Sequence, residues 1–330
     1  MRPSKASGEL AHNIAPVTSV TRATIDDVDD ARARIAAHVR RTPLLRTAAD
    51  STTWFKCEYL QHAGVFKTRG SFNRMLAAAE FGDLDPDVGV VAASGGNAGL
   101  ANAYAARRLG VPATVFVPET APEVKVRRIE SYGARVVRTG REYAEAFEAA
   151  VVHIAQHGGL FCHAYDHVDI VAGAGTIGLE ILEDLGAVDT VIVAVGGGGL
   201  FAGIATALDG RARIVAVEPT GAPSLHAALT AGGPVDVEVS GVAADSLGAR
   251  RVGRFAWEAA RLAQVRSLLV DDAAIVAARQ ALWDQFRIVV EHGAAAAYAA
   301  LSSGAYVPAP GERVVVVLCG ANTDPVSLGA

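Results

Sequence analysis

The chain has 330 residues, 51% hydrophobic and 20% charged, with a formal net charge of −5. This composition supports a sizeable core and excludes disorder, and the acidic balance gives no electrostatic case for nucleic acid or an anionic membrane. About 150 residues per domain suggests two domains, and three widely spaced cysteines, Cys57, Cys162 and Cys319, suit reduced thiols in cytoplasm rather than a disulfide framework.

Residues 1–20 contain no apolar stretch of signal-peptide length and read as a poorly ordered tail. Thr24, with Asp27 three residues on, predicts a helix cap. Ile25, Val28, Ile35 and Val39 then mark a helical face that Thr42-Pro43 ends. A strand at 53–59 leads to Val65-Phe66-Lys67-Thr68-Arg69-Gly70-Ser71-Phe72-Asn73. Thereafter strands (88–93, 113–117, 134–138, 159–163, 190–195, 213–217, 313–318) alternate with helices (98–109, 123–132, 142–156, 169–185, 200–208, 271–286, 293–301). The runs VIVAV, IVAV and VVVVL suit parallel strands covered on both faces. Alternation of this kind argues an α/β fold with open parallel sheets. Residues 190–208 are 19 without a charge, long enough for a membrane span, but four glycines in their middle fit a strand, a loop and a helix better.

Chemistry concentrates on one lysine and three loops. Lys67 is one of four lysines, with Lys5, Lys56 and Lys125. It follows an aromatic residue, and apolar surroundings lower a lysine pKa and free the amine for a Schiff base; it could equally be an ordinary lysine at a helix start. Three loops follow strands, where ligands collect in open α/β sheets. Ser94-Gly95-Gly96-Asn97-Ala98-Gly99 is either a tight turn or backbone that meets a carboxylate. Gly196-Gly197-Gly198-Gly199 costs entropy that a phosphate cradle would justify. It lacks the Gly-Lys-Ser/Thr ending of a triphosphate loop and the spacing of a dinucleotide fingerprint. Cys319 is either a plain buried thiol or a sulfur set against a ligand ring.

Taken together the segments resemble the fold-type-II pyridoxal-phosphate enzymes, most closely their serine/threonine dehydratase branch. The resemblance runs over roughly 40–325 through RTPLL (41–45), FKTRGSFN (66–73), ASGGNAGLANAYAARRLG (93–110), VFVPETAPEVK (115–125) and YGARVV (132–137). It continues through AGAGTIGLEIL (172–182), VGGGGLFAGIA (195–205), VEP (217–219), VVEHGAAAAYAAL (289–301) and LCGANTDP (318–325). It implies two open parallel-sheet domains of the tryptophan-synthase-β type. Residues 21–84 and 161–330 would form a large cofactor-binding domain, and 85–160 a smaller mobile one. It implies pyridoxal 5′-phosphate on Lys67, which also moves the substrate's α-proton. Phe66 would pack on the pyridine ring, Asn97 would bond the 3′-oxygen, Gly196 to Gly199 would cradle the phosphate, and Cys319 would face the ring nitrogen. Ser94 and the backbone of Gly95, Gly96, Asn97 and Ala98 would hold the substrate carboxylate, and Glu291 would lie near the cofactor edge. A homodimer is a further expectation of the resemblance.

The implied activity is β-elimination from a β-hydroxy amino acid such as L-serine or L-threonine, giving a 2-oxo acid and ammonia. Val65 and Ala98 depart from the family's usual Ser and His, which leaves the substrate open. Gly95 stands where serine racemases carry a second serine, so efficient racemisation is not expected. Ser224 stands where an acidic residue would complete a divalent-cation site with Glu218 and the Ala222 carbonyl, so no metal is expected. His153, His157, Cys162, His163 and His167 have zinc-like spacing, but the family carries a similar run without a metal at the position of HAYD (163–166). Arg69 reads as a structural hydrogen-bonder. The alternatives are a same-fold enzyme acting on 3-hydroxyaspartate or a diamino acid, a racemase, a β-replacement synthase, or a nucleotide-binding protein.

Overall fold

The computed structural model describes residues 22–263 and 265–328; the tail expected at 1–20 lies outside them. Helix α1 (Ile25–Ile35) starts at Thr24, whose hydroxyl accepts from Asp27 N at 3.2 Å while the Asp27 carboxylate accepts from Thr24 N at 2.7 Å. This is the reciprocal cap the spacing predicts. Strands β1 (Leu44–Arg46) and β2 (Thr53–Lys56) lead to α2 (Lys67–Phe81). Then come β3 (Val90–Ala93), α3 (Asn97–Leu109), β4 (Ala113–Val117), α4 (Glu123–Ser131), β5 (Arg135–Arg138), α5 (Tyr143–His157) and β6 (Leu160–Phe161). The chain continues through α6 (Val168–Leu185), β7 (Thr190–Ala194), α7 (Gly199–Leu208), β8 (Arg213–Pro219), α8 (Ser224–Ala231), α9 (Ala244–Leu247) and α10 (Arg254–Leu262). It closes with β9 (Val265–Val270), α11 (Asp272–Phe286), α12 (His292–Ser302) and β10 (Val314–Val317).

Two sheets form, as expected of this α/β class. The larger runs β1-β2-β10-β7-β8-β9, parallel except that β1 pairs antiparallel with β2. Its central strands β7, β10 and most of β8 are buried, which is why they read as unbroken apolar runs. The smaller sheet is wholly parallel in the order β5-β4-β3-β6. Its edge strand β6 reaches one residue past 160 because Phe161 pairs with Val91. Sequence patterning missed both edges of the larger sheet. β1 is three largely exposed residues, and β9 is interrupted by Arg266 and Ser267, so neither carries a continuous apolar run. The short helices α8 to α10 were missed as well, although α10 buries Phe255, Ala256, Ala259 and Ala260 at helical spacing.

Helix α2 lies between the sheets. Phe72, Met75 and Ala78 join the smaller core with Leu100, Val115 and Ile129. Its first turn packs so closely on α6 that a Cβ on Gly173 would sit 2.7 Å from Gly70 Cα. Behind that turn lies a buried ionic knot. Arg69 donates to both oxygens of Glu58 and both of Glu180, at 2.7–2.9 Å, and Lys56 donates to Glu180 at 2.5 Å. These charges anchor the start of α2 to the two elements beneath it.

Candidate active site

A zipper of backbone bonds sets Lys67 beside the end of β10. Tyr59 N donates to Leu318 O (2.9 Å), Phe66 N to Cys319 O (3.0 Å) and Ala321 N to Gly64 O (2.9 Å). Lys67 then opens α2 with its amine at the wall of a pocket between the sheets. Nζ donates to Ala164 O at 2.9 Å. Burial lowers the Lys67 pKa to about 8, against the opposing pull of Cys319 and Glu291, and the positive end of α2 favours the neutral amine as well.

The pocket brings together Phe66, Lys67, Asn97, Ala98, the four glycines 196–199, Glu291 and Cys319. Ser94, Gly95 and Gly96 are not in its lining; Ser94 Oγ instead accepts from Gly96 N at 3.3 Å. The glycine run joins β7 to α7. Its carbonyls are engaged: Gly196 O accepts from Ser224 Oγ (2.8 Å), Gly197 O from Gly253 N (3.0 Å) and Gly198 O from Ala202 N (2.8 Å). The N–H groups of Gly196, Gly197, Gly198 and Gly199 donate to no atom of the described residues, though Gly198 and Gly199 are buried. Buried donors without acceptors, at a helix N-terminus, form a seat for an anion. Glycine is required at 197, where a Cβ would fall 2.3 Å from the Tyr165 ring.

Glu291 is buried, and burial raises its pKa to about 7 despite a hydrogen bond from Asn97 Nδ2 at 2.6 Å. Asn97 Oδ1 accepts from Asn322 Nδ2 (2.9 Å), and Asn322 Oδ1 from Arg128 (2.6 Å), so one hydrogen-bonded chain ties α4 and α3 to the ends of β10 and α12. Cys319 is held protonated, its pKa pushed far up by burial and then by Glu291. A neutral thiol offers one weak donor and no counter-charge.

Pattern reading assigned no pocket role to Ser71, Asn102, His163, Tyr165 or Ser246, all of which line it. Helical spacing could have found two of them, since Ser71 follows Lys67 by four residues and Asn102 follows Ala98 by four. His163 had been considered only as a metal ligand. Its Nδ1 accepts from Tyr165 N (3.2 Å) and Asp166 N (2.8 Å), which places the ring proton on Nε2, and burial lowers its pKa to about 4. His153 and His157 lie against one another on α5 with their rings tilted at 46°, and neither lines this pocket. Among the described residues no His, Cys, Asp or Glu group could hold a metal ion. Glu218, considered as a cation ligand, instead accepts from Leu225 N (2.7 Å), His226 N (2.8 Å) and Ser224 Oγ (3.2 Å), tying down the start of α8. No helix of the described residues is long and apolar enough to cross a membrane.

The arrangement offers a partly neutral amine and an anion seat in one pocket, with Phe66 and Cys319 also in its lining. A family model described as pyridoxal-phosphate dependent enzyme matches residues 35–320. An L-threonine ammonia-lyase of Geobacter sulfurreducens is 39% identical over 308 residues, 91% of this chain and 75% of the relative. A phenylserine dehydratase of Ralstonia pickettii is 38% identical over 304 residues, 89% of this chain and 91% of the relative. Among solved structures, maize serine racemase superposes with a TM-score of 0.85 at 32% identity, covering 93% of this chain and 96% of its own.

Proposed function

This chain belongs to the fold-type-II pyridoxal-phosphate-dependent enzymes of the serine/threonine dehydratase family, and on that premise we propose that it eliminates water from a neutral β-hydroxy amino acid such as L-serine or L-threonine, leaving a 2-oxo acid and ammonia. The pocket fits the cofactor. Four N–H groups without an acceptor among the described residues suit its phosphate, the partly neutral Lys67 amine suits its aldehyde, and the protonated Cys319 suits an uncharged ring nitrogen. Phe66 would pack on the ring, Asn97 would bond its 3′-oxygen, and Glu291 would lie at its edge. When bound, the cofactor supplies a carbonyl that holds the amino group and an electron-withdrawing ring that acidifies Cα.

Lys67 is the base of the proposed reaction. Its pKa near 8 leaves a useful fraction of free amine at neutral pH. Nζ takes the proton from Cα, the C–O bond at Cβ breaks, and H and OH depart together as one water. The released enamine takes up water and loses ammonia. Ser94 and the backbone from Gly95 to Ala98 would hold the carboxylate. Because Ser94 to Gly96 stand outside the lining here, that role requires the unit of about residues 85–160 to close on the site.

The substrate class rests on the lining. Lys67 is its one cation among the described residues, so a second carboxylate, as in 3-hydroxyaspartate, would go unpaired. Gly95 carries no group to return a proton to the opposite face, which favours elimination over racemisation. The observation that carries the reading is the Lys67 amine, poised by burial beside the anion seat. Assay of ammonia and 2-oxo acid from a panel of amino acids, with borohydride trapping and peptide mass mapping, tests it. Trapping at Lys67 and turnover of serine or threonine are expected. A label elsewhere, or inversion of serine without ammonia release, would overturn the proposal.

A further inference from the structure

Two helical pairs wall one part of the pocket, a chamber that includes Lys67 itself. Lys67 and Ser71 share one face of α2, Ala98 and Asn102 share one face of α3, and Ile170 of α6 joins them in the lining. Asn102 is 1% exposed, and its Oδ1 is buried without any hydrogen-bond partner. No described residue bonds its Nδ2 or the Ser71 hydroxyl either, although Ser71 is 2% exposed. A buried amide oxygen left unpaired is destabilising, and a ligand that donates to it would remove that cost. Ala98, one turn before Asn102, lines the same pocket with only a methyl group.

We propose that Asn102 is a specificity-determining residue, whose amide oxygen accepts a hydrogen bond from the substrate's β-hydroxyl in the chamber it shares with Ser71. The assignment rests on the elimination reaction proposed above. In an α-helix Cα–Cβ bonds lean toward the N-terminus, so the Asn102 amide reaches back to the level of Ala98, beside a substrate whose carboxylate meets the loop of residues 94–97. A hydrogen bond accepted from the hydroxyl also raises electron density on its oxygen, which then takes up its second proton more readily as the C–O bond breaks. Substrates that present no donor at Cβ leave the amide unpaired and are disfavoured.

The test compares L-serine with β-chloro-L-alanine, which loses chloride from the same carbon and has no O–H to donate. In Asn102→Leu, which keeps the branched shape of the side chain and removes its polar atoms, the ratio of kcat/KM for serine to that for chloroalanine should fall about 10- to 100-fold. The apoprotein should melt a few degrees higher, about 1–5 °C, because an unpaired buried amide has gone. If Asn102→Leu does not fold, Asn102→Ala carries the same substrate comparison. An unchanged ratio, with both substrates losing equally and the melting temperature lowered, makes Asn102 a packing residue and overturns the assignment. Wild-type protein that forms 2-oxo acid from chloroalanine and from no hydroxy amino acid overturns the assignment together with its premise.

Discussion

Replacing Arg69 by Met tests how much the buried ionic knot beneath the start of α2 contributes to stability. The guanidinium is buried, and it donates to Glu58 at 2.8 and 2.9 Å, to Glu180 at 2.7 and 2.9 Å, to Thr176 at 3.1 Å and to Arg40 O at 3.2 Å. Burial alone would pull its pKa down, and the two carboxylates more than offset that. Methionine fills much of the volume but strands Glu58, which keeps only the Thr42 hydroxyl, while Glu180 keeps Lys56. Removing one partner of a buried pair costs about 3–5 kcal/mol, mostly through the charge left unpaired, and whole domains are stable by about 5–15 kcal/mol. With a urea slope of ~3 kcal/mol/M the unfolding midpoint should drop by about 1–2 M. Adding Glu58→Gln removes the stranded charge and should recover a good part of that loss. Denaturation followed by tryptophan fluorescence measures both. A single variant that unfolds within a few tenths of a molar of wild type, or a double variant no more stable than the single, would refute the reasoning.

Three further outcomes are expected. Gly197→Ala puts a Cβ 2.3 Å from the Tyr165 ring, and overpacking of about 1–3 kcal/mol at the anion seat should weaken cofactor affinity by about 10- to 100-fold in a spectrophotometric titration; Tyr165→Ala in the same chain should restore part of it. Folded Lys67 releases its proton near pH 8, whereas the unfolded side chain keeps it to the ordinary value of 10.5. Unfolded protein therefore binds more protons between these values, and the stability of the apoprotein relative to Lys67→Met should rise with pH across that window; a flat difference contradicts a buried Lys67. Asn97→Ala removes the donor that lowers the Glu291 pKa, so any acid limb near pH 7 in the kcat/KM profile should move upward, and Glu291→Gln should abolish it.

Much of the fold was legible because each layer writes its own period. Buried central strands appear as VIVAV and VVVVL, and helices that pack closely appear as AGAGTIG, where small residues let α6 meet α2 and α7. Thr24 with Asp27 announced a cap that the backbone then makes. Edge strands β1 and β9 carry no such mark, since half-covered strands need no apolar run. The site divides the same way. Lys67, the glycine run and Cys319 stand out by type and by their place after strands. Asn102 and Ser71 look like ordinary helix residues until two helices are laid against one another.

Local chemistry thus determined which groups could react: a lysine in apolar company, a loop able to bare its N–H groups, and strands able to present both. Those features depend on neighbours a few residues away, so the linear order carries them. Three-dimensional packing alone decided their states, because desolvation, charge and hydrogen-bond satisfaction depend on atoms distant in sequence. The amine of Lys67 is pushed toward its neutral form by burial, Glu291 is met by Asn97 from 194 positions away, and the Asn102 amide oxygen is left without a partner among the described residues.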